Sequence, residues 1–203
     1  MAKKIFCFDF DGTIADTLPL IIGTLNDVLK RSGEKEISGL FLRKIREEGI
    51  EEVFQEIDVP LHKLFFLYLK IKKEMNQKVS GVKMKEEMYE TLRELKERDI
   101  TLGILTSNSK ENVKTFLESN NIDFFDFIET SGIFGKARDI KKLNKKGGLF
   151  LYIGDEVRDI KAGKKAGVKT VAVPWGLSSK RALQKASPDI LIEEPRDLLY
   201  LSF

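Results

Sequence analysis

From Met84 onward the chain alternates at short, regular intervals between apolar runs of strand length and amphipathic stretches of helix length. No other feature constrains its fold as strongly. The spacing predicts a helix over Met84 to Glu97, a strand over Ile100 to Leu105, a helix over Glu111 to Glu118 and a short strand over Phe125 to Ile128. It continues with a helix over Ala137 to Asn144, a strand over Leu149 to Ile153 and a helix over Val157 to Ala166. A strand over Thr170 to Val173, a helix over Ser178 to Ala186, a strand over Ile190 to Ile192 and a helical tail complete it. Brief apolar runs bounded by turn residues suit strands buried on both faces, and their alternation with helices predicts a parallel sheet covered on both sides.

One more apolar run, Ile5-Phe6-Cys7-Phe8, stands at the start and is stopped by Asp9-Phe10-Asp11-Gly12-Thr13. It reads as a central strand ending in an acidic turn. Between it and the alternating part the rhythm is purely helical. Leu20, Thr24, Leu25, Val28 and Leu29 recur at three and four, a second run covers Leu40 to Glu48, and a third follows Pro60 from Leu61 to Lys78. The predicted architecture is α/β: a Rossmann-like parallel-sheet core of residues 1–15 and 81–203, with residues 16–80 inserted after the first strand as an all-helical cap.

Composition excludes several classes. The chain has 35 basic against 32 acidic residues, a net charge of +3, and its lysine-rich stretches are interleaved with acids. That balance predicts solvated faces and no nucleic-acid partner, and it suits a small anionic molecule. No apolar stretch is long enough to span a membrane, and no secretory signal is visible. The one cysteine, Cys7, is expected to be a buried thiol in a reducing cytoplasm.

Function in an open parallel sheet gathers at the carboxyl ends of the strands. Those ends carry Asp9 and Asp11, then Thr106-Ser107-Asn108, then Asp155 with Asp159 four residues on, and Lys136 lies just before a helix. Carboxylates at i and i+2 leaving a strand can point into one site, where like charges need a cation or a proton. A hard divalent cation with oxygen ligands answers that need, and magnesium pairs readily with phosphate. Lys136 and the groups around Thr106 could hold phosphoryl oxygens.

These residues resemble the haloacid dehalogenase-like hydrolase superfamily, in its phosphoglycolate-phosphatase-like branch. Asp9 to Thr13 matches the motif DxDGT, Thr106 the second motif, Lys136 the third, and Gly154 to Asp159 the fourth, GDxxxD. Ala137 departs from the Lys-Pro of many relatives, and Lys141 and Lys142 compete for the place of Lys136. The resemblance implies a magnesium-dependent phosphatase acting on a small phosphorylated metabolite. It implies Asp9 as nucleophile and Asp11 as general acid, then base. It implies a magnesium ion on the Asp9 carboxylate, the Asp11 main-chain carbonyl and Asp155, with Asp159 close by or in the second shell. Thr106, Ser107 and Lys136 would bind the phosphoryl group.

Other readings remain on the page. A sugar-phosphate mutase shares the fold, but Thr13 and a first cap helix without histidine favour hydrolysis. Dehalogenases lack the equivalent of Asp11, and a non-catalytic protein would be expected to have lost an acidic position. Glu156 and Arg158 are expected to pair with each other or with the core, Trp175 to pack in a loop, His62 to lie on the surface, and Phe65, Phe66 and Tyr68 to fill the cap core.

Overall fold

The computed structural model describes residues 3–31, 33, 36–49, 53, 74, 78–132, 135–145 and 147–201. Strand β1 (Lys4–Phe8) leads into helices α1 (Leu18–Arg31) and α2 (Gly39–Glu48), and a 3-10 turn, Val79–Gly81, precedes α3 (Met88–Glu97). There follow β2 (Thr101–Thr106), α4 (Lys110–Ser119), β3 (Phe127–Thr130), α5 (Lys136–Asn144), β4 (Leu149–Gly154), α6 (Val157–Ala166), β5 (Lys169–Ala172), α7 (Lys180–Lys185) and β6 (Ile190–Leu191). The tail is a 3-10 helix, Pro195–Tyr200.

All strand pairings are parallel, in the order β3-β2-β1-β4-β5-β6. The predicted sheet is therefore present. Side chains alternate across β1, so Phe6 and Phe8 join Leu92 of α3 and Phe116 of α4 on one face. Ile5 and Cys7 join Ile140 of α5 and Ala166 of α6 on the other. Each large side chain buried this way contributes on the order of 1.5–3 kcal/mol, and β1 thereby becomes the central stave. The chain runs outward from β1 through β2 to β3, then restarts on the other side at β4. That reversal opens a crevice at the carboxyl ends of β1 and β4.

Three boundaries differ from expectation for identifiable reasons. Helix α3 begins at Met88 instead of Met84, because Met84 bridges antiparallel to Ala15 and the Lys85 amide donates to the Ile14 carbonyl at 2.9 Å. The segments around Ala15 and Met84 are thus paired with each other. Strand β3 begins at Phe127 because Gly103 is in register with it, leaving Phe125 to meet the Phe8 ring edge-on at 6.3 Å. Helix α7 begins only after Ser179, whose side chain accepts from the Ala182 amide as its N-cap.

Helix α2 meets the core through a backbone contact, the Ser179 amide donating to the Arg46 carbonyl at 2.7 Å. The expected helix from Leu61, His62 and the aromatic cluster at Phe65, Phe66 and Tyr68 lie outside the described residues. Among the described residues no helix is long and apolar enough to cross a membrane.

Candidate active site

The site is built where four strand ends and two helix starts converge. Asp9 follows β1, is buried, and its amide donates to the Ile153 carbonyl at 2.8 Å, which fixes the turn against β4. Lys136 is the first residue of α5, and its Nζ lies 3.1 Å from Asp9 Oδ2 and 2.7 Å from Asp159 Oδ1. It is 7% exposed, whereas Lys141 and Lys142 are exposed. The Tyr152 ring lies beneath it, 5.7 Å from Nζ to the ring centroid, with its hydroxyl tied to the Leu105 carbonyl.

Asp155 ends β4 and is held from two sides. Thr13 Oγ1 donates to its Oδ1 at 2.9 Å, and the Leu177 amide donates to its Oδ2 at 2.7 Å. The loop after β5 closes so tightly here that a Cβ on Gly176 would sit 2.1 Å from Asp155 Oδ2. Gly12 is crowded in the same way, at 2.5 Å, and has a φ of +75°. Only glycine fits either place. Trp175 packs as a loop aromatic, and its Nε1 donates to the Thr13 carbonyl at 3.0 Å.

Asp159 lies in the first turn of α6 and has both oxygens engaged. Oδ1 accepts from Lys136, and Oδ2 accepts from the Glu156 amide at 3.1 Å in a reciprocal capping box. Glu156 also pairs with Arg158 Nη2 at 2.5 Å, so the expected pairing of these two residues is present.

Asp11 is set apart from this cluster. Asn108 Nδ2 donates to both of its carboxylate oxygens, at 3.1 and 3.3 Å. Asn108 is positioned in turn by its amide bond to Thr106 Oγ1 at 3.0 Å and by Asn112 Nδ2 donating to its Oδ1 at 2.8 Å. Thr106 is buried at the end of β2, and Ser107 is the half-buried residue after it. The buried Thr17 hydroxyl lies near Asp11 and, with Asn108, favours its charged form.

Electrostatics follow from burial of like charges. Burial pushes the Asp9 carboxyl up to about 7 against the pull of Lys136, and Asp159 adds to the rise. Burial likewise raises Asp11, with Asn108 opposing it, and lifts Asp155 well above the usual range, helped by Glu156 and Asp159. Burial disfavours the Lys136 charge, but Asp159 and Asp9 outweigh it and raise its proton affinity. Burial disfavours the Arg158 charge as well, and Glu156, Asp159 and Asp9 more than compensate.

One carboxylate oxygen from each of Asp9, Asp155 and Asp159 lies within 4.8 Å of the other two. Three buried carboxylates this close form a donor set that fits a hard divalent cation. Asp155 and Asp159 each accept a hydrogen bond on both oxygens, from Thr13 and the Leu177 amide and from Lys136 and the Glu156 amide. Four predicted site residues, Asp9, Lys136, Asp155 and Asp159, converge on one place, and Asp11 beside them is linked to Thr106 through Asn108. Sequence reasoning gave no role to Asn108, the Thr13 hydroxyl or the Leu177 amide. Asn108 could have been found from its place two residues past Thr106. Leu177 carries no signal, because a backbone amide is present at every residue but proline.

A doubly wound parallel sheet with a buried acidic turn at its switch point defines a class of α/β fold, and the comparisons narrow it. Residues 6–173 match the family model of the haloacid dehalogenase-like hydrolases, so the chain belongs to that family. It is 28% identical over 198 residues to a phosphoglycolate phosphatase of Synechococcus elongatus, covering 95% of this chain and 93% of the relative. It is 29% identical over 206 residues to the pyrophosphatase PpaX of Bacillus cereus, again covering 95% and 93%. Its fold matches that of a haloacid dehalogenase-like family hydrolase from Streptococcus pneumoniae with a TM-score of 0.81, at 20% identity over 98% of this chain and 97% of the other.

Proposed function

We propose that this hydrolase is a magnesium-dependent phosphatase that cleaves a small organic phosphate monoester through a phosphoryl-aspartate on Asp9. The observation that carries the reading is the division of labour between the two aspartates. Asp9 is buried against Lys136 within reach of Asp155, while Asp11, two residues on, is held separately by Asn108.

Asp9 attacks phosphorus and forms the acyl-phosphate bond as the ester P–O bond breaks. Asp11, its proton affinity raised by burial, gives its proton to the leaving oxygen and afterwards takes one from the water that splits the intermediate. Phosphate leaves and Asp9 is restored. Lys136 balances charge on Asp9 and the transferred group, and Thr106 and Ser107 donate hydrogen bonds to its remaining oxygens. Asp9, Asp155 and the Asp11 main-chain carbonyl would hold the magnesium ion, which when bound neutralises charge between these carboxylates and the phosphoryl oxygens. Asp159 orients Lys136 from outside that ligand set. Residues 16–80 form a cap over a core of residues 1–15 and 81–203. The names of the relatives make phosphoglycolate and pyrophosphate the first substrates to try. The buried free thiol of Cys7 suits a reducing cytoplasm.

The test is phosphate release from a panel of phosphorylated metabolites, with magnesium and with excess chelator, by wild type and by Asp9→Asn. Release should depend on magnesium and fall at least about a thousandfold in the variant. Undiminished release in chelator, or near-wild-type turnover by Asp9→Asn, would sink the proposal.

A further inference from the structure

Trp175 has no part in the proposed chemistry, yet a path of hydrogen bonds runs from it to a proposed metal ligand. It is the one tryptophan of the chain and lies half-buried against the apolar core. Its Nε1 donates to the Thr13 carbonyl at 3.0 Å. Thr13 is fully buried, its amide donates to the Phe10 carbonyl at 3.3 Å, and its Oγ1 donates to Asp155 Oδ1 at 2.9 Å. The other carboxylate oxygen, Oδ2, accepts from the Leu177 amide at 2.7 Å, two residues beyond Trp175. Trp175, Thr13, Asp155 and Leu177 therefore close a ring. The ring has no slack at Gly176, where a Cβ would sit 2.1 Å from Asp155 Oδ2.

An indole N–H beside a core usually finds some acceptor. What sets this one apart is the acceptor, the residue whose hydroxyl holds Asp155. Phe10 fixes the Thr13 backbone at its amide and Trp175 fixes it at its carbonyl, so the hydroxyl between them is aimed. Each oxygen of a carboxylate keeps a second lone pair after accepting one hydrogen bond. The ring sets the direction of those lone pairs. Groups that orient a metal ligand from outside its first shell are worth about 10–100-fold in affinity when they touch the ligand, and Trp175 stands one residue further out.

We propose that Trp175 is a positioning residue for Asp155: by holding the Thr13 carbonyl it aims the Thr13 hydroxyl, and so presents the carboxylate to magnesium. The proposal rests on the magnesium reading above and adds to it a residue that touches neither metal nor substrate. The opposing account is that Trp175 only fills the loop against the core.

The experiment is calorimetric titration of magnesium onto the full chain and onto Trp175→Phe, Thr13→Val and the double variant, with ester turnover measured alongside. Trp175→Phe should weaken magnesium about 3–10-fold, the scale of one neutral hydrogen bond. In the Thr13→Val background the same substitution should have no further effect, because the path to Asp155 is already cut. An equal loss in both backgrounds is what loop packing alone would give, and it overturns the proposal. So does a Trp175→Phe affinity equal to wild type. Should any of these variants fail to fold, benzothienylalanine at position 175 keeps the shape of the indole and lacks its N–H. A similar loss of magnesium affinity in that protein supports the proposal, and unchanged affinity is equally fatal. If wild type binds magnesium yet releases phosphate from no ester, the phosphatase reading fails while the affinities still decide Trp175. If wild type binds no magnesium, both readings fall.

Discussion

At the residue scale, the site depends on how closely backbone can approach carboxylate. Gly176 is the sharpest case, because an added Cβ would overlap Asp155 Oδ2 at 2.1 Å and Asp155 Cγ at 2.4 Å. Asp155 cannot yield without giving up the Thr13 hydroxyl or the Leu177 amide. Gly176→Ala should therefore cost about a hundredfold in turnover, the scale expected when a catalytic group is displaced by about 1 Å. Steady-state kinetics across a magnesium titration check this, and a fully active variant would show that the loop can move aside. Asn108 gives a second case. Its two bonds to Asp11 orient the carboxyl proposed as the proton shuttle. Asn108→Ala should slow turnover most for esters with poor leaving groups, which need the proton, and least for nitrophenyl-type esters, which do not. Equal losses across a leaving-group series would assign Asn108 another role.

At the element scale, short strands are placed by individual polar contacts as much as by their apolar residues. Strand β3 has four residues, and Asp126 immediately before it clamps β2. Its amide donates to the Leu102 carbonyl at 2.8 Å, while its Oδ2 accepts from the Leu102 amide at 2.9 Å and Oδ1 meets Lys96 Nζ at 2.6 Å. Burial pushes the Asp126 carboxyl up, but the bonds from Lys96 and Leu102 and the nearby lysine charges together outweigh it and hold it below its ordinary value. A depressed carboxylate contributes stability above its unfolded pKa, and that stability is lost as pH falls through the folded one. Asp126→Asn should thus lower the melting temperature at neutral pH, and the gap to wild type should close in acid, below the ordinary carboxylate range. Thermal melts of both proteins across pH decide it, and a gap that persists in acid would trace the effect to something other than the charge. The side chain is about one-third exposed, so solvent screening keeps the effect modest.

At the scale of the whole molecule, residues 16–80, proposed as a cap, join the proposed core where the chemistry is proposed to occur. The flanking segments pair through the Asp16 amide on the Lys83 carbonyl at 3.0 Å and the Lys85 amide on the Ile14 carbonyl at 2.9 Å, only a few residues from Asp11. Farther out, α2 meets the loop that holds Asp155 through Arg46 and Ser179. We propose that a cap attached in this way closes over a small phosphate and excludes water, leaving no room for a folded phosphoprotein or a duplex. Deleting Asp16 to Val79 and joining Ala15 to Ser80 with a flexible linker should preserve a cooperatively melting core. Turnover and discrimination among small phosphates should fall far more. A shortened chain that hydrolyses small phosphates as well and as selectively as the full one would remove the cap from the mechanism.

Much of this architecture was legible in the amino-acid order. Helix α6 occupies Val157–Ala166 as its pattern predicts, because the period of its apolar residues, its acidic first turn and its terminal Gly167 all agree. The acidic turn after β1 and the Gly154-to-Asp159 segment announced their chemistry for a similar reason: carboxylates directly after buried strands have few structural uses. Tertiary structure decided what local pattern could not. Met84 looks helical by its neighbours, yet pairing with Ala15 takes it. Lys136, Lys141 and Lys142 are alike in sequence, and only packing against Asp9, Asp159 and Tyr152 buries the first and leaves the others in water. Asn108 and the Leu177 amide gain their partners across 97 and 22 residues of chain. Periodicity and turn chemistry act over one or two turns of backbone, so sequence determines elements and their ends. The contacts that aim a carboxylate form between segments distant in sequence, and only the folded chain brings those together.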